Sequence, residues 1–193
     1  MASIIDLIRQ ETKLAPKAID ILQDQIQVKQ YLKGTLLHQS GYFPAKSYFV
    51  QQGLLRSFVS DAKGKEHTFM FAPEGWIISD LGALVFKQPS QLTIEVLEDA
   101  KVELLNDDFF KISEGMLSTS TLNISKLLIK RNMVHQKRII MLMSATATER
   151  YQDFITTYPD IMQRVPLKMI ATYLGITPEA LSKIRGEMAK RNT

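Results

Sequence analysis

Leu167-Lys168-Met169-Ile170-Ala171-Thr172-Tyr173-Leu174-Gly175-Ile176-Thr177-Pro178-Glu179-Ala180-Leu181-Ser182-Lys183-Ile184 is the stretch on which the reading of this chain turns. A helix-turn-helix packs two short helices at a steep angle. It needs a small residue at their closest approach, a residue tolerant of positive φ at the turn, and apolar residues at fixed places on both helices. Ala171 meets the first need and Gly175, four residues on, the second; Ile170, Leu174, Ile176, Leu181 and Ile184 meet the third. Thr177 can cap the second helix, and Pro178 takes the first helical position, where a missing N–H does no harm. A plain helical hairpin with a glycine turn would satisfy the same spacing, so the surrounding charge has to weigh between the two.

At about 100° per residue, Leu181, Ile184 and Met188 share the inner face of the second helix. Glu179, Lys183, Gly186 and Lys190 lie opposite, with Ser182 beside them. A helix N-terminus in a major groove presents Pro178, Glu179, Ser182 and Lys183 to base edges, next to the capping Thr177. Glu179 can accept from cytosine N4, and Lys183 can donate to guanine O6 or N7. Arg185 falls on the flank, where phosphate is the expected contact; Lys168, Lys190 and Arg191 are further phosphate candidates. For each of these residues a solvated surface role is the alternative.

Charge divides the chain. Residues 1–119 hold 12 basic and 15 acidic residues, whereas 120–193 hold 12 basic and 5 acidic, a surplus of +7 in a chain of net +4. A basic rear module suits a polyanionic partner; on charge alone a solvated lysine-rich helix surface fits equally. Between Ser118 and Ser144 there is neither glycine nor proline. Leu117, Ile124, Leu127, Leu128, Val134, Met141 and Leu142 recur at helical spacing there, which predicts one helix of roughly 40 Å. A second stripe, Leu122, Ile129, Met133 and Ile140, marks another side. A helix apolar on two sides serves two neighbours, and a second copy of the chain is the neighbour favoured here. Thr146 with Glu149 reads as a capping box opening a helix that ends near Tyr158-Pro159.

The front half reads differently. Ile4, Ile5, Leu7 and Ile8 share one helical side, and Pro16 opens a second short helix carrying Ile19 and Leu22. After Gln25, short apolar or alternating runs follow, at Tyr48–Val50, Leu54–Val59, Thr68–Phe71, Gln91–Val96 and Lys101–Leu105. Glycines at 34, 41, 53, 64, 75 and 82 punctuate them. Asp61-Ala62-Lys63-Gly64 reads as a hairpin loop whose glycine needs positive φ. Many short strands at close spacing predict a small antiparallel sandwich or barrel.

Composition narrows the function classes. The chain of 193 residues is 45% hydrophobic and 23% charged, values of an ordinary folded domain. It has no cysteine, which excludes disulfides, cysteine-ligated metal and thiol catalysis; a reducing cytoplasm is the easiest fit. No apolar run reaches the roughly 18 residues of a membrane span. The three histidines, His38, His67 and His135, are far apart in sequence, and there is no phosphate loop or nucleophile elbow. Neither an enzyme nor a metal or cofactor site is expected.

With these residues in view, the chain resembles the Crp/Fnr transcription-regulator superfamily from about residue 25 to residue 190. The resemblance rests on Lys33-Gly34-Thr35-Leu36-Leu37, on Tyr48-Phe49-Val50-Gln51-Gln52-Gly53-Leu54-Leu55-Arg56 and on Asp61-Ala62-Lys63-Gly64-Lys65-Glu66. Ala72-Pro73-Glu74-Gly75-Trp76-Ile77 and the helix-turn-helix complete it. It implies an α+β architecture: an N-terminal antiparallel β-roll of jelly-roll type over 1–116, a dimerisation helix over 117–144, and a winged-helix-like helix-turn-helix domain over 145–193. It further implies a homodimer on double-stranded DNA, reading a two-fold-related operator under an effector in the roll, with no membrane involved, and admits RNA polymerase as a further partner. A scaffold of the same fold that binds only protein is the alternative.

Three departures qualify the resemblance. Relatives that bind cyclic AMP carry glycine-glutamate, then arginine-serine about ten residues on. Here Ser79-Asp80-Leu81 and then Gln91-Leu92-Thr93 stand at those places, leaving Asp80 for a ribose hydroxyl but no arginine for the phosphate. Arg56 and Arg131 are the cations that could reach in from elsewhere. Cyclic AMP is therefore not the expected effector; a neutral or apolar ligand lined by Phe71, Trp76 and His135 is one expectation, a collapsed roll the other. Lys183 stands where many relatives have arginine, keeping the charge and losing the bidentate fork. Finally, 161–166 leaves little room for wing strands.

Overall fold

The glycine-punctuated front half becomes one antiparallel sheet because its long strands bend instead of breaking. A computed structural model of the chain describes residues 3–12, 14–117 and 121–191, apart from the side chains at 11, 107, 114–131 and 191. The strands are β1 (Ile26–Tyr31), β2 (Leu36–His38), β3 (Ser47–Ser60), β4 (Glu66–Ala72), β5 (Ile77–Ile78) and β6 (Thr93–Leu105). Their order is β1-β6-β3-β4, with β2 also on β6 and β5 also on β3. The runs at 48–50 and 54–59, separate in the sequence reading, form the single strand β3. Register shifts against β6 lie on both sides of Gln52, so that Tyr48, Val50 and, past the bulge, Leu55 all enter the same core. Gly53 makes this possible: its φ is +91°, and a Cβ there would stand 2.5 Å from the Asp99 carbonyl oxygen. The runs at 91–96 and 101–105 likewise merge into β6.

The chain divides into two compact units, Met1–Val59 with Met70–Ile129, and Ser60–Phe69 with Lys130–Thr193. In the first, Tyr48, Val50, Leu55, Met70, Ala72, Ile78, Ile94, Val96, Ala100 and Val102 fill the inside of the roll. Each fully buried aliphatic contributes on the order of 1.5–3 kcal/mol. Helices α1 (Ile4–Glu11), α2 (Pro16–Gln23) and α4 (Asp107–Leu117) cover another sheet face through Ile4, Ile5, Ile19, Leu22 and Phe109 on Phe49 and Leu105. Ser3 and Asp6 form a capping box at α1, and Pro16 sits in the first turn of α2. The buried Glu103 holds α1 down: it accepts from Ile4 N–H at 2.8 Å and from Gln51 Nε2 at 2.6 Å. The short helix α3 (Leu81–Phe86) follows β5.

The second unit is mostly helical: the end of α5 (Thr121–Ser144), then α6 (Ala147–Thr157), α7 (Ile161–Arg164), α8 (Leu167–Leu174) and α9 (Pro178–Arg191). The long helix thus starts at Thr121, and Leu117 ends α4 instead. The stripe residues 117, 122, 124 and 127–129 lie outside the described side chains. Beyond them, Met133, Val134, Ile140 and Leu142 are exposed. The capping box of Thr146 and Glu149 opens α6, with each partner holding the other's N–H. Between 160 and 191 no strand occurs among the described residues; α7 takes the place where wing strands would stand. Among the described residues no helix is long and apolar enough to cross a membrane.

Candidate nucleic-acid interface and effector pocket

Helices α8 and α9 meet as the spacing of their apolar residues requires. Ala171 is fully buried at their approach, with Ile170, Leu174, Leu181 and Ile184 around it. Gly175 has φ +67°; its N–H bonds the Thr172 carbonyl, while Ile176 N–H bonds the Ala171 carbonyl at 3.0 Å. That pair is a Schellman stop, which ends α8 and redirects the chain. Thr177 then caps α9, its hydroxyl accepting from Ala180 N–H at 3.2 Å.

The eight residues singled out for DNA, Lys168, Thr177, Pro178, Glu179, Ser182, Lys183, Arg185 and Lys190, are all exposed. Those of α9 lie away from buried Leu181 and Ile184. Ser182 donates to the Pro178 carbonyl at 2.9 Å, which leaves its oxygen to accept. Lys183 stands 4.0 Å from Glu187, its side chain 79% exposed. So exposed a pair is worth little and releases the ammonium readily. Glu179 is held below the usual carboxylate range, first by its own backbone N–H and then by the Thr177 hydroxyl, and is ionised at neutral pH.

In the roll, the segment that matches the phosphate-binding stretch is occupied by the chain itself. Asp80 caps α3, its Oδ1 accepting from Ala83 N–H at 3.0 Å. Its Oδ2 accepts from the Ser90 hydroxyl and from Gln91 N–H, both at 2.9 Å. Burial pushes this carboxyl up, but hydrogen bonds from Ala83, Gln91, Ser90 and Leu92 together bring it below its ordinary value. The expected ribose-binding group is thus engaged by its own loop. Arg56 is engaged as well: buried on β3, it pairs with Glu95 of β6 at 2.5 Å and lies over the Phe58 ring at 4.3 Å. These residues do not fit a cyclic phosphate, because the N–H donors already hold a carboxylate and the described cation already has an acid.

The other pocket candidates scatter. Phe71 is fully buried and Trp76 packs against the roll core, whereas Leu81 and Gln91 are exposed. Leu92 N–H bonds the Ser90 hydroxyl, and the Thr93 hydroxyl accepts from Ser40 N–H. His135 belongs to the second unit, where it stacks on Phe69 at 5.2 Å between centroids. The Arg131 side chain lies outside the described residues. Ser79 is buried and its hydroxyl has no partner among the described residues; the same holds for Ser57 and for Nε2 of His38, which are register partners of Ile94 on its two sides. Burial lowers the His38 pKa and keeps the ring neutral. The sequence reading missed Ser90 and His38; the ten-residue spacing from Asp80 to Ser90 was the available signal for the first.

A family model described as the cyclic nucleotide-binding domain matches residues 28–123. Solved structures extend the likeness beyond it. FixK2 from Bradyrhizobium japonicum superposes with a TM-score of 0.75 at 17% identity, covering 86% of each chain. The c-di-GMP responsive global regulator CLP of Xanthomonas campestris gives 0.71 at 12% identity over 92% of this chain and 93% of its own. A protein of Eubacterium rectale, described as a transcriptional regulator of the Crp/Fnr family, gives 0.71 at 16% over 97% and 89%. Residues 28–123 thus match a cyclic nucleotide-binding domain, and the chain has the fold of these Crp/Fnr-type structures. No curated protein matches it. Within the Crp/Fnr fold, the roll carries the departures described above, and the helix-turn-helix keeps its geometry.

Proposed function

We propose that this protein is a non-enzymatic, DNA-binding transcriptional regulator, a homodimer that reads a two-fold-related operator with α9. The observation that carries the reading is the helix-turn-helix itself: a Schellman turn at Gly175, a capped α9, and an exposed face of Glu179, Ser182, Lys183 and Lys190 opposite a buried one. The surplus of +7 over residues 120–193 supports a polyanionic partner. Exposed Met133, Val134, Ile140 and Leu142 on α5 support dimerisation along that helix.

We further infer that an effector acting through the roll is not cyclic AMP. The committed Asp80 and Arg56 argue against an anion, and the buried, unpartnered groups of His38, Ser57 and Ser79 suit neutral hydrogen-bonding ligands. Selection from genomic fragments at moderate salt tests the DNA reading, with a two-fold-related motif expected. Lys183→Ala should then cost about 1–3 kcal/mol of discrimination at one base pair. Lys190→Ala should weaken all sequences alike and reduce the salt slope by about one unit. Recovery of no such motif would overturn the proposal.

A further inference from the structure

Residues 60–69, the tip of the hairpin between β3 and β4, pack as part of the helical unit. Their turn is built locally: Asp61 Oδ1 accepts from Lys63 and Lys65 N–H, and Gly64 supplies φ +75°. Besides the stack of Phe69 on His135, a small polar knot holds the tip on the helices. The Thr68 hydroxyl, buried, meets the Thr172 hydroxyl of α8 at 2.7 Å and lies 3.3 Å from the Met169 carbonyl. Arg138 of α5 donates to the carbonyls of Thr68, at 2.9 Å, and Phe69. The same guanidinium donates to the Tyr173 carbonyl at 3.0 Å and lies over the Tyr173 ring at 4.2 Å.

The Tyr173 carbonyl matters because of where it stands. The last four carbonyls of a helix have no partner within it. In α8 the carbonyls of Ala171 and Thr172 are taken by the Gly175 turn, and that of Tyr173 by Arg138. A permanent cation at a helix C-terminus also complements the helix dipole. Arg138 thus fixes the last turn of α8 directly before the residue that aims α9, and it does so while bound to the hairpin. The Leu142 side chain of the same helix lies 3.3 Å from where a Cβ on Gly175 would stand.

We propose that the hairpin tip is a positioning element of the helix-turn-helix, with Arg138 and Thr68 as the residues that transmit its position to the α8–α9 turn. The inference rests on the DNA-binding reading for its consequence, though not for its structural half. The test compares the full-length protein with Thr68→Val, Thr68→Ser and Arg138→Met in two measurements. Hydrogen exchange at the Gly175 and Ile176 amides reads the turn; affinity for the selected operator reads the function.

Thr68→Val and Arg138→Met are expected to speed exchange at these amides about tenfold or more. Operator affinity should fall by about threefold and tenfold respectively, roughly the loss of one and of several hydrogen bonds. Thr68→Ser, which keeps the hydroxyl, should leave both measurements unchanged. Unchanged exchange in Thr68→Val and Arg138→Met overturns the proposal, and so does faster exchange with unaltered operator affinity. If the parent protein selects no operator, the DNA reading fails, and the exchange measurement alone decides whether the tip holds the turn. Should Arg138→Met not fold, Thr68→Val carries the same decision.

Discussion

Replacing Asp80 with asparagine should make the roll a better host for cyclic AMP, starting from a parent expected to bind it weakly. Any cyclic phosphate seated on the N–H groups of Ala83 and Gln91 would compete with the carboxylate that accepts from them at 3.0 and 2.9 Å. It would stand roughly 4 Å from that carboxylate, where two like charges repel by about 4 kcal/mol at an effective dielectric of about 20. Screening and relaxation reduce this, so a working range of about 2–4 kcal/mol corresponds to roughly 30-fold to 1000-fold in affinity. Asparagine keeps the shape and can still cap α3 through its carbonyl oxygen, at a cost of about 1 kcal/mol for the lost charged hydrogen bonds.

Calorimetry on the purified proteins at constant salt measures both affinities. The parent should bind with a dissociation constant of about 1 mM or weaker, corresponding to no more than about 4 kcal/mol. Asp80→Asn should bind at least about tenfold tighter. A parent constant in the low micromolar range, coupled to improved DNA binding, would refute the assignment of the effector. Measurable but equal affinities in the two proteins would refute the electrostatic reasoning behind it.

Gly53→Ala and Gly64→Ala both place a side chain at positive φ, a strain of about 1–2 kcal/mol. Only at Gly53 does the new Cβ meet backbone, at the Asp99 carbonyl, while at Gly64 it meets nothing. Urea unfolding should therefore show Gly53→Ala the less stable by about 1–3 kcal/mol more; equal losses would contradict the bulge geometry. Glu103 is pushed up by burial, with hydrogen bonds from Ile4 and Gln51 and the charge of Lys101 opposing and Asp6 adding to the push. Its folded state thus binds the proton more tightly than its unfolded state, so its contribution is fully present below the unfolded pKa and is lost as pH rises through the folded one. Glu103→Gln should accordingly compare better with the parent at pH 7 than at pH 4, and a pH-independent difference counts against this. Leu127→Glu with Leu128→Glu should give monomers in sedimentation at micromolar concentration; a parent that is itself monomeric there ends the dimer proposal.

The helix-turn-helix was readable because each of its constraints is local. A positive-φ glycine, a small residue four positions earlier and a Thr-Pro cap lie within one short stretch, and each reappears as geometry at Gly175, Ala171 and Thr177. The capping box at Thr146 and the turn at Gly64 were readable for the same reason. Strand lengths were not, since Gly53 reads as a break in sequence but acts as a bulge in β3. What the sequence hid altogether were pairings set by register or by long-range packing. Arg56 finds Glu95 across two strands, Glu103 meets a helix 99 residues away, and Arg138 reaches carbonyls 69 and 70 residues back. Backbone carbonyls carry no sequence signal, so the role of Arg138 could not be read from residue types at all.

These pairings divide the chain's charges into two kinds, and the division bears on function. In the first unit Asp80 accepts from Ala83, Ser90 and Gln91, Glu95 faces a guanidinium, and Glu103 faces an N–H and an amide. An acid or cation taken out of water without such partners costs several kcal/mol, so an anionic ligand entering there must break an existing pair as well as shed its own hydration. On α9 the described charged side chains are exposed instead, and the pair of Lys183 with Glu187 is exposed and long. Moving a hydrated lysine from water to a phosphate costs little and releases counterions from the nucleic acid. Paired acids in the roll and exposed charges on α9 are the distribution that the proposed regulator, with an effector other than cyclic AMP and a polyanionic partner, would need.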